Sequence, residues 1–343
     1  LDSHKKALDW IFEATPEVPL WPQLPSNPEE QMLPQFAEGI PCIREESPEL
    51  TTGKIFYDIS YDGFDEKMLA FYEDYIVASE TISDRPGSRF TTSPERAAGL
   101  YALANRLTNA DSLQAVNGQV TGPFTMLTGI KDTQGRAGYF DDTIREMTIK
   151  GIAMKAAWQT SFFAKYNKPV LMFIDEPALA GLGSSAFIGV TTDEIQDMIN
   201  EVADAIHLAG GLAGIHVCAN TDWSLLLNSK IDVLSLDAYG FFDRIASLQE
   251  DLNTYLDRGG IIAWGGIPTS RAEDIQKETT TSLVELWNTQ MESITGPNRS
   301  KADILRQTII TPSCGTGSLS QELAQKVLEL TRTVSMELRN QHL

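Results

Sequence analysis

Short apolar runs alternating with longer amphipathic stretches restrict what this chain can fold into more than any other feature. The runs cover residues 18–23, 55–59, 115–121, 170–174, 213–218, 233–237, 261–265 and 308–311. Between them, residues 65–79, 94–107, 138–166, 192–208, 242–256, 271–293 and 319–341 carry apolar side chains at three- and four-residue spacing, the period of a helix with one buried face. Thr92-Ser93-Pro94 opens one of these stretches and Gly210-Gly211 closes another, as start and stop signals do. Strands alternating with helices make a parallel α/β sheet, and eight of them predict a (β/α)8 TIM barrel. An open doubly wound sheet is the alternative, but no Gly-rich dinucleotide fingerprint or phosphate loop follows the first run. Neither a repeat nor a composition break marks a second domain. Residues 1–343 are therefore expected to form a single barrel domain, with an N-terminal extension and the first strand in residues 1–50.

Charge narrows the partners. Twenty-seven basic residues stand against forty-seven acidic ones, a net charge of −20. Nucleic acid and anionic membrane surfaces both require concentrated Lys and Arg, so neither is expected as a partner. No apolar run reaches bilayer length, and residues 1–6 lead into no signal-peptide core, so a soluble, cytoplasmic protein is expected. Three cysteines, Cys42, Cys218 and Cys314, are too few and odd in number for a disulfide framework. Cys42, within Ile-Pro-Cys-Ile, reads as a small buried hydrophobe.

In a parallel barrel, chemistry gathers at the C-terminal ends of the strands. His216 and Cys218 end one run, and residues two apart on a strand point the same way. Cys314 follows the last run, ahead of a Gly-rich turn. A lone His on an apolar run is ordinarily a hydrogen-bonded core residue. One nitrogen and two sulfurs at strand ends are instead the ligand set of zinc, and three protein ligands leave a position open for chemistry. Asp237 ends the next run, as a fourth ligand or as a hydrogen-bond acceptor. Asp175-Glu176-Pro177 ends the run at 170–174. A carboxylate there suits a substrate ammonium, and a helix cap is the plainer reading. Trp264 and Tyr239 are placed to line a pocket or simply to pack. With two thiolates on it, zinc is a poor source of hydroxide and well suited to holding a substrate thiol as thiolate, the nucleophile in methyl transfer.

Phe-Ile-Asp-Glu-Pro-Ala-Leu at 173–179, Gly-Pro-Phe-Thr-Met-Leu at 122–127, His-Val-Cys at 216–218 and Pro-Ser-Cys-Gly at 312–315 resemble the catalytic barrel of cobalamin-independent methionine synthase, in order and approximate spacing. The resemblance runs from about Val120 to the C-terminus. It implies zinc on His216, Cys218 and Cys314, Asp237 where the family has a Glu ligand, and Asp175 holding the amino group of homocysteine. Asp175 and Asp237 are then the catalytic carboxylates, with Gly122, Pro123, Glu176 and Trp264 around the substrate. The family's catalytic His is replaced near Ala263-Trp264. That departure favours a methylated corrinoid, free or protein-bound, over methyl-tetrahydrofolate as donor. His-Val-Cys-Ala-Asn is also similar to the His-x-Cys-Gly-Asn of corrinoid-dependent thiol methyltransferases in the uroporphyrinogen-decarboxylase-like superfamily.

The expectation is a zinc-dependent methyltransferase acting on a thiol such as homocysteine. Transfer from methyl-tetrahydrofolate, or to another thiol, is the nearest alternative. A uroporphyrinogen decarboxylase would want arginines gathered for an anionic porphyrin, and only Arg44, Arg85, Arg89 and Arg96 precede residue 100. A non-catalytic corrinoid- or thiol-binding protein is the third reading.

Overall fold

Alternation along the strands decides which residues face which core. The structure is a computed structural model that describes residues 3–45, 54–82, 87–108, 110, 112–297 and 299–343. Part of the expected N-terminal extension (1–2 and 46–50) and Arg85 lie outside the described residues. The strands are β1 (Ile43–Glu45), β2 (Ile55–Tyr57), β3 (Val116–Thr121), β4 (Val170–Asp175), β5 (Leu212–Val217), β6 (Val233–Leu236), β7 (Ile261–Ile267) and β8 (Thr308–Pro312). β3 to β8 form one parallel sheet in sequence order, with helices between successive strands.

Val116, Val120, Met172, Ile174, Ile215, Val217, Leu234, Leu236, Ile262 and Trp264 point to the outer face and join the helices in the main core. Ala115, Leu171, Phe173, Val233 and Ala263 point the other way and form a second, small core with Val18, Leu212, Ile261 and Ile309. No helix contributes to this second cluster, yet its central members are at most 9% exposed. Strand residues can bury one another in this way only if the sheet curls. The fold is thus α/β, with a curled six-stranded parallel sheet.

Two of the eight expected strands do not join this sheet. Residues 17–20 run along the free edge of β3, where Ala115 and Asn117 N–H donate to the Glu17 and Pro19 carbonyls (3.1 and 3.0 Å) and Leu20 forms a single parallel bridge with Asn117. Pro19 and Pro22 have no N–H to give, so a continuous ladder cannot form there. The run at 55–59 is corrected more fully: β2 pairs antiparallel with β1, outside the main sheet. Ile55 and Phe56 stay partly exposed, whereas a strand inside a parallel sheet must be apolar on both faces.

Gln159 closes the edge that the proline segment leaves open. This buried residue lies on the helix Asp142–Ala164, and its side-chain oxygen accepts from Gln119 N–H (2.9 Å) and from the Trp21 indole (2.9 Å). Its amide donates to the Gln119 carbonyl (3.0 Å). Two expected long helices are interrupted. Residues 271–293 divide into Ala272–Lys277 and Thr280–Glu292, where Thr279 and Ser282 form a capping box. Residues 242–256 divide into Ala238–Ala246 and Gln249–Asp257. Among the described residues no helix is long and apolar enough to cross a membrane.

Replacing Gln159 by Ala strips partners from three buried groups: the Trp21 indole N–H, and the N–H and carbonyl of Gln119. A buried group left unpaired costs about 1–3 kcal/mol, so urea denaturation of Gln159→Ala should show a loss of roughly 3 kcal/mol or more. An unchanged midpoint would mean that the edge does not depend on this residue.

Candidate metal centre

His216 lies near the end of β5 on the concave face, while Val217 is buried in the outer core. Cys218 follows the strand end and returns to the concave side. Cys314 comes two residues after β8, in a turn pinned to β7. There Ser313 N–H donates to the Ile267 carbonyl (2.8 Å), and the buried Ser313 and Thr269 hydroxyls pair at 2.9 Å. Gly265 is required beneath this turn, because a Cβ would lie 2.3 Å from the Leu236 carbonyl oxygen and 2.9 Å from Ser313 Cα. The result is convergence. One ligand atom from each of His216, Cys218 and Cys314 lies within 4.8 Å of the others.

The donor set fits zinc. Zn–S and Zn–N bonds of about 2.3 and 2.0 Å put tetrahedral ligand atoms roughly 3.5–4 Å apart, inside the 4.8 Å that bounds this cluster. His216 Nδ1 is 2.9 Å from the Ser235 hydroxyl, which leaves Nε2 for a metal. The two thiols act on each other, and this interaction separates their acidities. Cys218 is lowered to about 7, while Cys314 is pushed up to about 12, in each case chiefly by the other thiol. The two thiols therefore titrate as a coupled pair, the first proton leaving more readily than the second.

The carboxylates part ways. Asp175 ends β4 in register with His216. Burial pushes its carboxyl up to about 7, and no group among the described residues hydrogen-bonds to it. Glu176, adjacent in sequence, is fully buried and already engaged. Its Oε1 accepts from Phe124 N–H (2.9 Å), and its Oε2 accepts from the Thr125 N–H and hydroxyl (2.8 and 2.6 Å). These donors open the helix Pro123–Gly129, so Glu176 caps a helix through space. Gly122 is glycine because a Cβ would sit 2.2 Å from the Glu176 carboxylate. Gly122, Pro123 and Glu176 thus form a joint between β3 and β4, in which the Glu176 carboxylate is taken up by helix donors.

Trp264 departs from its expected place, and Asp237 takes the second of its two expected roles, as a hydrogen-bond acceptor. Trp264 is fully buried on the outer face, where its indole donates to Gln290 (2.6 Å) on Thr280–Glu292, so it does not line the concave side. Asp237 caps Ala238–Ala246 through Gly240 N–H (2.9 Å) and is absent from the cluster of converging ligand atoms. Burial raises its pKa, and its charge acts on His216 and Cys218 from outside that cluster. Tyr239 is partly buried, with its hydroxyl donating to Glu278 (2.9 Å). The early arginines are each answered by carboxylates: Arg44 by Asp58, Arg89 by Asp74, and Arg96 by Glu29 and Glu45. They form no array of unpaired cations among the described residues.

No family model matches this chain, and no curated protein does. The site is therefore read from its own geometry. Two of its residues escaped the sequence reading. Ser235 stands opposite His216 in the register of β5 and β6. Gln119 stands opposite Phe173 in the register of β3 and β4. Position two before Asp237 put Ser235 on the strand-end face, but only the pairing of strands sets it beside His216.

Ser235→Ala should weaken zinc binding about 10- to 100-fold in a chelator competition without changing the number of sites, because the imidazole loses the partner that orients it. Equal affinity in the variant would remove Ser235 from the centre.

Proposed function

We propose that this protein is a zinc-dependent methyltransferase that moves a methyl group from a methylated corrinoid to a thiol acceptor, homocysteine being the best fit. The observation that carries the reading is the convergence of His216, Cys218 and Cys314 at the ends of β5 and β8. These three residues would hold the metal. When bound, zinc supplies a thiolate-stabilising charge at neutral pH, with one position left for the acceptor sulfur. The motif resemblance to cobalamin-independent methionine synthase supports the same assignment. We take the curled sheet, with residues 17–20 on its edge, as part of a single-domain (β/α)8 barrel.

The chain's own residues do the rest. Asp175 lies on the concave face without a hydrogen-bond partner, so an acceptor's ammonium would both satisfy it and hold it ionised. Ser235 orients His216. The carboxylate of Asp237, fixed at its helix N-terminus, adds negative charge beside the cluster and helps hold a cation there. On β7, the concave face carries Ile261, Ala263 and Gly265, none of which can donate a proton from a side chain. A departing folate needs that proton. A corrinoid does not, because the methyl–cobalt bond breaks with its electron pair kept on cobalt while the carbon–sulfur bond forms. This contrast favours the corrinoid donor. Ala263 and Gly265 would equally suit a thiol- or corrinoid-binding protein without turnover, so the assay must measure product.

Purified protein should carry about one zinc per chain and convert homocysteine to methionine with methylcobalamin as donor. Cys218→Ser combined with Cys314→Ser should abolish both. Unchanged zinc content in the double variant would overturn the site assignment, and loaded protein that forms no methionine would favour the binding-protein reading.

A further inference from the structure

Gln119 is a buried polar side chain without a protein partner. Its backbone N–H and carbonyl are both taken by Gln159, while its side-chain amide makes no hydrogen bond among the described residues. The residue is 8% exposed, so the amide keeps only a narrow opening to solvent. Its direction follows from alternation. Ala115 belongs to the concave core and Val116 and Val120 to the outer one, so Gln119 lies on the concave side. Beside it in register is Phe173, whose ring offers no hydrogen bond.

Asp175 is the diagonal neighbour. Thr121 pairs with Asp175 and Gln119 with Phe173, so Gln119 sits one strand across and two residues deeper. That diagonal is about 8 Å between Cα atoms, from the rise of two residues and one strand spacing. Both residues therefore lie on the concave face of adjacent strands, and their side chains do not bond to each other. An amide and a carboxylate left unpaired on one wall suit a ligand that carries a cation and an anion close together. The groups on the Cα of an amino acid have that spacing.

We propose that Gln119 is the specificity-determining contact for the carboxylate of an α-amino-acid acceptor, with its amide N–H groups donating to the ligand's oxygens. This rests on the reading of the site as a thiol-acceptor site. It deepens that reading by assigning a residue to the acceptor's carboxylate, which none of the groups described above contacts. Thr121 does not compete for this role, because its hydroxyl is spent on the Met32 carbonyl at 2.8 Å.

The test is calorimetric binding of homocysteine, and of the aminothiol that lacks only its carboxylate, to zinc-loaded wild-type, Gln119→Met and Gln119→Glu proteins. Gln119→Met should weaken homocysteine about 10- to 100-fold, the range for losing a hydrogen bond to a charged group, and Gln119→Glu by at least as much. Neither change should weaken the decarboxylated aminothiol, and zinc content should stay at the wild-type level. Equal weakening of both ligands, or of neither, overturns the role of Gln119 and leaves the thiol site standing. Wild-type protein that binds zinc but neither ligand overturns the thiol site itself, and this proposal with it.

Discussion

Everything at the candidate centre depends on the curl of the parallel sheet. β5 and β8 are separated by β6 and β7, so in a flat sheet they would lie about 14 Å apart. No side-chain rotation brings an imidazole on one to within 4.8 Å of a thiol beyond the other. The small apolar core of Leu171, Phe173, Val233 and Ala263 favours the curl, because these side chains have only one another to bury against. Packing at the bottom of the concave face thus sets the distance between ligands at its top. Gly265 then lets the Cys314 turn settle directly onto the backbone beneath it.

Asp175 and Glu176 illustrate how a strand end separates structure from chemistry. They are neighbours in sequence, and burial raises both carboxyls to about 7. Glu176 has three donors from the start of Pro123–Gly129 and fixes that helix against the sheet. Asp175 has none and lies on the concave face.

Much of this was legible in the chain. Six strands and most helices lie within a few residues of where periodicity sets them, because strands buried on both faces and helices with one buried stripe leave different spacings. The meeting of His216, Cys218 and Cys314 followed from two rules, alternation along a strand and chemistry at strand ends. Failures came where a side chain's neighbour, rather than its spacing, decides the outcome. Trp264 looked like a pocket residue until alternation about Ala263 turned it outward against Gln290. Gln119 and Ser235 acquired meaning only from the register of adjacent strands. The run at 18–23 was read for its apolar content when its prolines mattered more.

Those prolines have a consequence beyond this chain's own fold. An unpaired strand edge is a template on which other chains can assemble, and β3 would offer one. Residues 17–20 lie along it with Pro19 among them, and Gln159 takes up the backbone groups further on. A segment that accepts hydrogen bonds from one side but carries too few donors to extend the ladder ends the sheet chemically. The same feature that denies the sheet a regular seventh strand therefore guards it against a stranger's.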